Sequence, residues 1–377
     1  MKKHYDVIVV GAGSMGMSAG YYLTKKGLNV LLIDAYDPPH TYGSHHGDTR
    51  IIRHAYGEGR QYVQLVLRAQ ELWDQLAEES GYSLFAKTGV LCIGPQHTPF
   101  MDEMIASANE FSLPLEILSH DEIRYRWRGI FVPEGFIGCF EKRAGVLFSE
   151  ECLRAYRQLA LSNGAEFLVN TVVEKIDLDS QGATIHTTEG AFTADQVMIS
   201  TGAWTKKLLK KIHIDVPLQP VRKTVAWFEC DEQLYDAHVF PAFSYNLSDE
   251  NYYGFPSFAG SGLKIGRHDQ GKQVDPDTVS REFGLYSEDE GDVRKFLETF
   301  MPQAAGKCKA GKVCLYTLTP DRHFIIDQLP DFPHIKIVTG FSGHGFKFAS
   351  VIGEIVSELV TKGKSSYDIS MFSLDRF

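Results

Sequence analysis

The stretch YDVIVVGAGSMG, residues 5–16, decides the fold of this chain. In its first half, residues 5–10 are mostly apolar and β-branched without alternation, which is typical of a parallel strand buried on both faces. Its second half places Gly11, Gly13 and Gly16 in the spacing GxGxxG. The first glycine permits a tight turn, the second lets the backbone approach a pyrophosphate, and the third lets the following helix pack close to the strand.

The residues that follow complete a strand, turn, helix and strand. Residues 17–27 (MSAGYYLTKKG) have apolar side chains at helical spacing, with Gly27 as the predicted C-cap, and VLLID ends in Asp34. Free N–H groups at a helix N-terminus bind phosphate, and an acid at this place accepts hydrogen bonds from a ribose. Asp34 would repel the 2′-phosphate of NADP. A bare glycine turn is the alternative, but both flanking elements and the acid favour a dinucleotide site.

The motif alone does not separate FAD from NAD. No second GxGxxG with such flanks occurs in the 377 residues, which argues against a reductase with two dinucleotide sites. One site followed by so long a chain favours a tightly held FAD. The length itself predicts two domains, or one large domain with an inserted lobe.

Composition excludes several classes of protein. A hydrophobic fraction of 44% and a charged fraction of 23% are ordinary values for a globular chain. The net charge of −10 is spread without a basic tract, so no nucleic-acid partner is expected.

The cysteines and the absence of long apolar segments bear on location. Six cysteines without a CxxC pair predict free thiols inside a cell and no metal site. No stretch is long enough to cross a bilayer, and the first apolar run is too short for a signal peptide. A cytoplasmic protein without a membrane partner is therefore expected.

The early and late parts of the chain look Rossmann-like, whereas the middle does not. Helices are predicted at 61–80 and 149–164, the second with Ser149 as its N-cap. Residues 215–320 are β-rich and aromatic, with one helix near 288–299, which is typical of a mostly antiparallel sheet. The predicted fold class is α/β, a Rossmann-type FAD-binding domain with a second α+β substrate domain and a ligand at their junction. The predicted domains are 1–80, 146–214 and 320–377 for FAD, and 81–145 and 215–319 for substrate.

Two polar stretches are first candidates for chemistry. Residues 43–60 (GSHHGDTRIIRHAYGEGR) form a loop-like stretch rich in donors, and the pattern leaves a flavin or substrate surface and a solvated loop equally open. Lys264 alternates with Leu263 and Ile265, so its side chain points away from those two residues. A cavity is one possible destination, but an ordinary exposed lysine is the more common outcome.

Two further stretches lie nearer the C-terminus. Cys314 sits in the strand-like KVCLYT, and the residues alone favour a buried small hydrophobe. Residues 340–348 (GFSGHGFKF) follow a predicted strand end of the parallel sheet, where ligands bind. Small residues there let backbone N–H groups approach a planar polar ring, and Lys347 with Arg53 is suited to hold a carboxylate. The alternative is a glycine-rich turn before the last helix.

Over nearly its whole length the chain resembles the monomeric sarcosine oxidase and N-methyltryptophan oxidase family of FAD-dependent amine oxidoreductases. The motifs that carry the resemblance are VGAGSMGMSAG, DPPHTYGSHHGDTRIIRHAYGEGR, YYGFPSF, GLKIGRH, VCLYT and GFSGHGFKF. The chain departs from the family at Gly266-Arg267-His268, where sarcosine oxidases look like GYH. It departs again at Ser244 and Tyr245, where the family tends to be more apolar. These departures bear on which substrate is preferred and not on the type of reaction.

The resemblance implies roles for individual residues. It implies FAD joined covalently to Cys314 through the 8α carbon, a substrate carboxylate bound by Arg53 and Lys347, and help from Lys264 in the reaction with oxygen. The predicted catalytic residues are Lys264, His268, Arg50, Tyr253 and Tyr316. The predicted cofactor contacts are Gly11, Gly13, Gly16, Asp34, His46, Thr49, Cys314, Gly343 and Lys347.

The function expected from the resemblance is oxidative demethylation of sarcosine or a similar N-methyl amino acid, giving an aldehyde, a primary amino acid and hydrogen peroxide. The expected partners are a small secondary amine with a carboxylate and molecular oxygen, and the expected state is a monomer. Alternatives are an oxidase of N-methyltryptophan, fructosyl amino acids or a cyclic imino acid, a dehydrogenase with another electron acceptor, and a non-catalytic FAD-binding protein.

Overall fold

The computed structural model describes residues 3–269 and 271–377. Met1 and Lys2, the first two positions of the predicted FAD-binding domain, lie outside the described residues. Gln270, inside the predicted substrate domain, lies outside them too.

The described residues form twenty β-strands and nine α-helices, numbered here in chain order. The strands are β1 (Lys3–Val10), β2 (Val30–Ile33), β3 (Thr49–Ile52), β4 (Phe85–Ala86), β5 (Val90–Pro95), β6 (Glu116–Ser119), β7 (Phe136–Glu141), β8 (Gly145–Phe148), β9 (Glu166–Leu168), β10 (Val173–Leu178), β11 (Ala183–Thr187), β12 (Gly190–Ile199), β13 (Gln219–Phe228), β14 (Ala242–Asn246), β15 (Asn251–Phe255), β16 (Leu263–Arg267), β17 (Lys272–Gln273), β18 (Cys308–Leu318), β19 (Ile325–Gln328) and β20 (Ile335–Thr339). The helices are α1 (Ser14–Lys25), α2 (Val63–Ser80), α3 (Pro99–Glu110), α4 (His120–Arg126), α5 (Ser149–Ser162), α6 (Thr205–Lys210), α7 (Glu232–Tyr235), α8 (Glu288–Phe300) and α9 (Ala349–Lys362).

An eight-stranded sheet is built around β1. Its order is β10-β11-β12-β1-β2-β9, with β20 paired to β12 and β19 to β20. β1 runs parallel to β2 and β12, and β20 runs parallel to β12. Val7 and Val9 belong to the apolar cluster on one face of this sheet, and Ile8 and Val10 to the cluster on the other face. The four apolar residues at the end of β1 therefore contribute to two cores, and the predicted α/β class is confirmed.

The glycine turn joins β1 to α1 at very close range. Gly11 has φ of +93°, a left-handed conformation that suits glycine, and α1 begins three residues later. A Cβ atom on Gly16 would overlap the carbonyl oxygen of Gly11. α1 then packs against α5 and α9, so the apolar face of the helix is covered. The three glycines thus fix where the N-terminus of α1 lies relative to the sheet.

A second sheet has nine strands in the order β17-β13-β16-β15-β14-β5-β7-β6, with β18 paired to β13. All its pairs are antiparallel except β14 with β5. One face carries Phe243, Leu263 and Ile265 into an apolar core shared with Phe296 and Leu297 of α8. Residues at the intervening positions point to the opposite face.

A three-stranded sheet, β3-β8-β4, corrects one expectation. The segment 43–60 was expected to be loop-like, but Thr49–Ile52 is a strand antiparallel to β8. The β-branched residues of TRII favour a strand, and β8 supplies the partner that the segment cannot show by itself.

Two smaller expectations about helices are also wrong. Ser149 lies inside α5 and Phe148 holds the N-cap position, where no side chain caps the helix. The hydroxyl of Ser149 donates instead to the carboxylate of Glu150, at 2.7 Å. The middle of the chain contains a second helix, α7, besides α8; it is a single turn capped by Asp231.

None of the helices within the described ranges combines the length and the apolar character that crossing a bilayer requires. In those same ranges, no group of His, Cys, Asp and Glu side chains is arranged to hold a metal ion.

We expect Gly16→Ala to destabilise the protein, because the new methyl group must displace backbone at the glycine turn. Overpacking of this kind should lower the midpoint of thermal unfolding by about 5 °C. Gly291→Ala is the matched control: it is also inside a helix, and a Cβ atom there meets nothing within 4 Å. Circular dichroism melts of the two variants check this. Equal midpoints would show that the turn tolerates a side chain.

Candidate active site

A single elongated cavity of about 1080 Å³ is lined by residues of both large sheets and of the glycine turn. Most of the predicted site residues share its wall, and three do not: Gly16, Thr49 and Lys264 are just outside the lining. Predicted site residues on the wall are Gly11, Gly13, Asp34, His46, Arg50, Arg53, Tyr253, His268, Cys314, Tyr316, Gly343 and Lys347.

The glycine turn and Asp34 form one end of the cavity. Asp34 accepts hydrogen bonds from the backbone N–H of Ala12 at 2.8 Å and of Tyr36 at 3.0 Å, so its carboxylate is held against the turn. Gly13 is the N-cap of α1, and no side chain caps the helix there. The free N–H groups of the first helical turn are thus available to a phosphate, and the remaining carboxylate capacity of Asp34 to a ribose hydroxyl.

His46 also lines the cavity, and its two ring nitrogens are available to a ligand. The ring is buried, and neither of its nitrogens has a hydrogen-bond partner among the described residues. Burial and the nearby charge of Arg50 lower its pKa to about 3, so the ring is neutral. It therefore offers one donor and one acceptor to the cavity. A glycine turn, a helix N-terminus and an unsatisfied imidazole along one long cavity fit FAD.

Lys264 is buried, at 2% exposure, which corrects the expectation that an exposed lysine is more common in such a strand. Its ammonium group donates to the carbonyl oxygens of Gly47 at 2.6 Å and Thr49 at 3.0 Å, and to the hydroxyl of Thr49 at 2.9 Å. Burial, reinforced by the charge of Arg50, holds its pKa well below the usual range. The ring of Phe255 lies 4.2 Å away. The lysine thus sits immediately behind the cavity wall, held by a segment of another sheet.

Arg50 shapes that same segment. Its guanidinium donates to the carbonyl oxygens of Ser44, His46 and Thr49, each at 2.7 Å. These bonds fix the turn that carries His46 and presents Gly47 to Lys264. Glu150 assists from α5 by accepting the backbone N–H of Gly47 at 2.8 Å.

Arg53 lines the cavity and pairs with a carboxylate, Glu58, that the sequence patterns did not identify as a site residue. The guanidinium pairs with Glu58 at 2.5 Å, donates to the carbonyl oxygen of Ala55 at 2.9 Å, and lies 4.6 Å from the ring of Tyr56. Burial alone would raise the pKa of Glu58, but Arg53 and nearby cations lower it to about 2. Glu58 is therefore ionised. The available signal was an acid placed between two glycines, five residues after Arg53.

Lys347 lies beside Arg53 in a hydrogen-bonded chain. Its ammonium group donates to the carbonyl oxygen of His344 at 2.8 Å and to the hydroxyl of Tyr56 at 3.3 Å. That hydroxyl is 2.8 Å from Nδ1 of His344, whose Nε2 is 3.1 Å from the carbonyl oxygen of Arg322. Because a carbonyl only accepts, Nε2 carries the proton and Nδ1 accepts from Tyr56. Burial lowers the pKa of Lys347 to about 7, although Glu58 opposes the shift.

An aromatic section lies on the second sheet. His268 has its ring 5.7 Å from that of Tyr316 and 6.4 Å from that of Tyr253, and the two tyrosine hydroxyls are 3.4 Å apart. Burial lowers the pKa of His268 to about 4 and raises that of Tyr253 to about 12, so both side chains are neutral. Tyr253 pairs with Gly266 across the strands, and a Cβ there would come within 2.8 Å of its hydroxyl oxygen. Glycine at this position makes room for the tyrosine.

Cys314 is buried on the cavity wall, at the centre of β18. Burial raises the pKa of its thiol, and the charge of Arg50 works against that rise. The neighbouring strand places Lys223 directly opposite Cys314, and its ammonium donates to the carbonyl oxygen of Asp269 at 2.6 Å. Its burial agrees with the interpretation of Cys314 as a small hydrophobic residue. Cys314 nevertheless also lines the cavity, where a ligand could reach it.

Comparison with known proteins gives matches over nearly the whole chain. The FAD dependent oxidoreductase family matches residues 6–359 of the chain. The chain is 56% identical to a monomeric sarcosine oxidase of Arthrobacter sp. (strain TE1826), over 100% of this chain and 97% of that protein. It is 42% identical to an N-methyl-L-tryptophan oxidase of Yersinia pestis (strain Pestoides F), over 99% of each.

A solved structure shares the fold at low sequence identity. The L-proline dehydrogenase from P. horikoshii superposes with a TM-score of 0.84 at 22% identity, over 100% of this chain and 98% of that one. The family resemblance inferred from the motifs is confirmed. The chain belongs to the FAD-dependent oxidoreductases.

Proposed function

We propose that this protein oxidises sarcosine or a similar N-methyl amino acid with oxygen as the electron acceptor, giving an aldehyde, a primary amino acid and hydrogen peroxide. The observation that carries the proposal is that two buried cations, Arg53 and Lys347, line the same cavity as the glycine turn. A carboxylate held by these cations and a dinucleotide bound at the turn leave the amine in the section between them. Identity of 56% to a protein named monomeric sarcosine oxidase supports the choice of substrate.

The residues that would hold FAD are the glycine turn with Asp34 at the dinucleotide end, His46 along the wall, and Cys314, which we propose as the covalent link. When bound, FAD accepts two electrons from the amine and passes them to oxygen. The proposed contacts also include Gly343, Thr49 and Lys347, as the family resemblance implies.

Arg53 and Lys347 bind the substrate carboxylate in this proposal. A guanidinium grips a carboxylate through two parallel hydrogen bonds, and the ammonium adds a point charge. Glu58 keeps Arg53 paired while no carboxylate is bound, because an unpaired buried guanidinium is costly. Only two of the five N–H donors of Arg53 are used in its bonds to Glu58 and Ala55, so a substrate carboxylate would bind in addition to Glu58.

The same section of the cavity favours the neutral form of the amine, which is the form that is oxidised. His268 and Tyr253 are both neutral polar groups, and Arg53 and Lys347 are cationic. The one carboxylate in this section, Glu58, is already paired with Arg53, so the two cations disfavour an ammonium ion there. The substrate amine is therefore expected to lose its proton on binding.

Lys264 serves the reaction with oxygen. Its three acceptors stabilise the ammonium form, while burial opposes it, so the group responds strongly to negative charge that develops nearby. A preorganised cation at this place lowers the cost of charging oxygen.

We also infer a monomeric, cytoplasmic protein. Relatives named as monomeric sarcosine oxidases support the first, and the six free cysteines support the second.

Anaerobic titration of the yellow protein with sarcosine, N-methyltryptophan and proline tests the function. We expect sarcosine to bleach the flavin absorbance, and air to restore it with one peroxide formed per flavin. Bleaching by N-methyltryptophan or proline, but not by sarcosine, would show that one of those amines is the substrate instead. Bleaching by sarcosine without recovery in air would indicate a dehydrogenase, and no bleaching by any amine would reject the proposal.

The same stopped-flow traces test Lys264. Lys264→Met should slow recovery in air by about 100-fold while anaerobic bleaching changes only slightly, because the cation acts on oxygen. Lys312→Met is the matched control, since Lys312 lies on β18 and pairs with Asp48 at the surface. If Lys264→Met slowed both half-reactions equally, Lys264 would not have the proposed role in the reaction with oxygen.

The pH dependence of carboxylate binding tests Lys347. Its ammonium form predominates below its pKa of about 7 and is lost above it. Affinity for propionate, which has no amine to titrate, should therefore fall about tenfold between pH 6 and pH 9, the loss of one charge-assisted hydrogen bond. Flavin difference spectra report the binding.

Two variants complete that experiment. Lys347→Met should bind propionate weakly at pH 6 and show no further loss as the pH rises. Lys336→Met is the control, because Lys336 is also a buried lysine of lowered pKa but bonds Gln196 and Pro333 away from the cavity. A parent protein whose affinity is flat from pH 6 to pH 9 would exclude Lys347 from the carboxylate site.

Acid precipitation tests the covalent link. The parent pellet should stay yellow, whereas Cys314→Ala should release its flavin to the supernatant. Cys139→Ala, at another buried cysteine, should behave like the parent. A colourless parent pellet would exclude a covalent bond.

A further inference from the structure

Two polar side chains of β14 face the cavity beside the proposed substrate position. Ser244 and Asn246 are two residues apart in the strand and therefore share a face. Ser244 pairs with Tyr253 across the sheet, so this face is the one that carries Tyr253. Tyr245, between them, points into the apolar core, where its hydroxyl donates to the carbonyl oxygen of Phe131 at 3.1 Å.

The hydrogen bonds of Asn246 determine which of its atoms is left for a ligand. Its Nδ2 donates to the carbonyl oxygen of Ile93 at 3.1 Å and lies 3.5 Å from Oγ of Ser244. Because a carbonyl oxygen only accepts, the nitrogen must be the atom that faces Ile93. The amide oxygen, Oδ1, receives no hydrogen bond from any residue in the described ranges. Asn246 lines the cavity, so this oxygen is an acceptor available there.

Ser244 lies next to the carboxylate end. It pairs with Cys92 of β5, and the thiol of Cys92 is close enough to feel the charges of Arg53 and Glu58. The row from Arg53 to Asn246 is thus continuous: a guanidinium, a thiol, a hydroxyl and an amide oxygen. A substrate anchored by its carboxylate would have the substituent of its α-carbon beside the last two.

We propose that Ser244 and Asn246 select N-methyl amino acids whose side chain carries a hydroxyl or carboxamide group. A substrate hydroxyl would donate to Oδ1 of Asn246 and accept from the hydroxyl of Ser244. An apolar side chain in the same place would remove water from both groups and return no hydrogen bond, and such mismatches discriminate strongly between substrates. The inference rests on the proposed function, because the carboxylate anchor sets where the side chain lies.

The test compares two substrates of nearly equal volume. N-methylserine has a hydroxyl where N-methyl-2-aminobutyrate has a methyl group, so the ratio of their kcat/KM values isolates the hydrogen bonds. The parent enzyme should prefer N-methylserine by about tenfold, the effect expected of one well-placed hydrogen bond. Ser244→Ala and Asn246→Ala should each move the ratio towards one.

Tyr245→Phe is the matched control. It removes a hydroxyl from the residue between the other two, but on the opposite face of the strand, and the ratio should stay at the parent value. A parent ratio near one is decisive even when a variant fails to fold.

The outcomes separate this inference from the proposed function. Oxidation of sarcosine with a parent ratio near one would overturn the selection by Ser244 and Asn246 and leave the proposed function intact. A high ratio that survives both substitutions would also overturn it. If the parent oxidises none of the three N-methyl amino acids, the proposed function is rejected instead.

Discussion

The ion pair between the buried Arg53 and the half-buried Glu58 is the interaction on which the candidate site depends. Two cations and one anion, Arg53, Lys347 and Glu58, lie close together, so this part of the cavity has one positive charge in excess when Lys347 is protonated. Burial makes that excess expensive, and the cheapest ways to remove it are to deprotonate Lys347 or to bind an anion. The low pKa of the lysine and the suitability of the pocket for a carboxylate therefore have the same physical origin.

The two large sheets supply different parts of the site. The first sheet and its glycine turn supply the end that suits a dinucleotide, where helix N–H groups and Asp34 meet. The second sheet supplies His268, Tyr253 and Ser244 from alternate positions of adjacent strands, so the register of those strands decides which groups face the substrate. A slip of one residue would turn these side chains into the apolar core. The register of the β-strands therefore determines which side chains line the substrate section of the cavity.

Local patterns could be predicted from the sequence, and contacts between distant segments could not. The strand, glycine turn and helix of residues 5–27 follow from spacing alone, because each needs only its neighbours. The resemblance pointed to Lys264, but its burial depends on Gly47 and Thr49 closing over the strand from another sheet. The strand at Thr49–Ile52 was missed because its partner, β8, lies far along the chain. Glu58 was overlooked since its place between two glycines, five residues after Arg53, is a weak signal that does not show that Arg53 turns towards it.

The carbonyl oxygens that hold Lys264 have a consequence beyond chemistry. An amine on the nine-stranded sheet is bound to residues 47–49 at the start of the three-stranded sheet, so it links the two sheets. Two of its three acceptors are main-chain carbonyl oxygens, which a change of side chain leaves in place, whereas the third is the hydroxyl of Thr49. Separation of the two sheets would bring water to the amine and, because burial lowers its pKa, would raise that pKa towards the ordinary range.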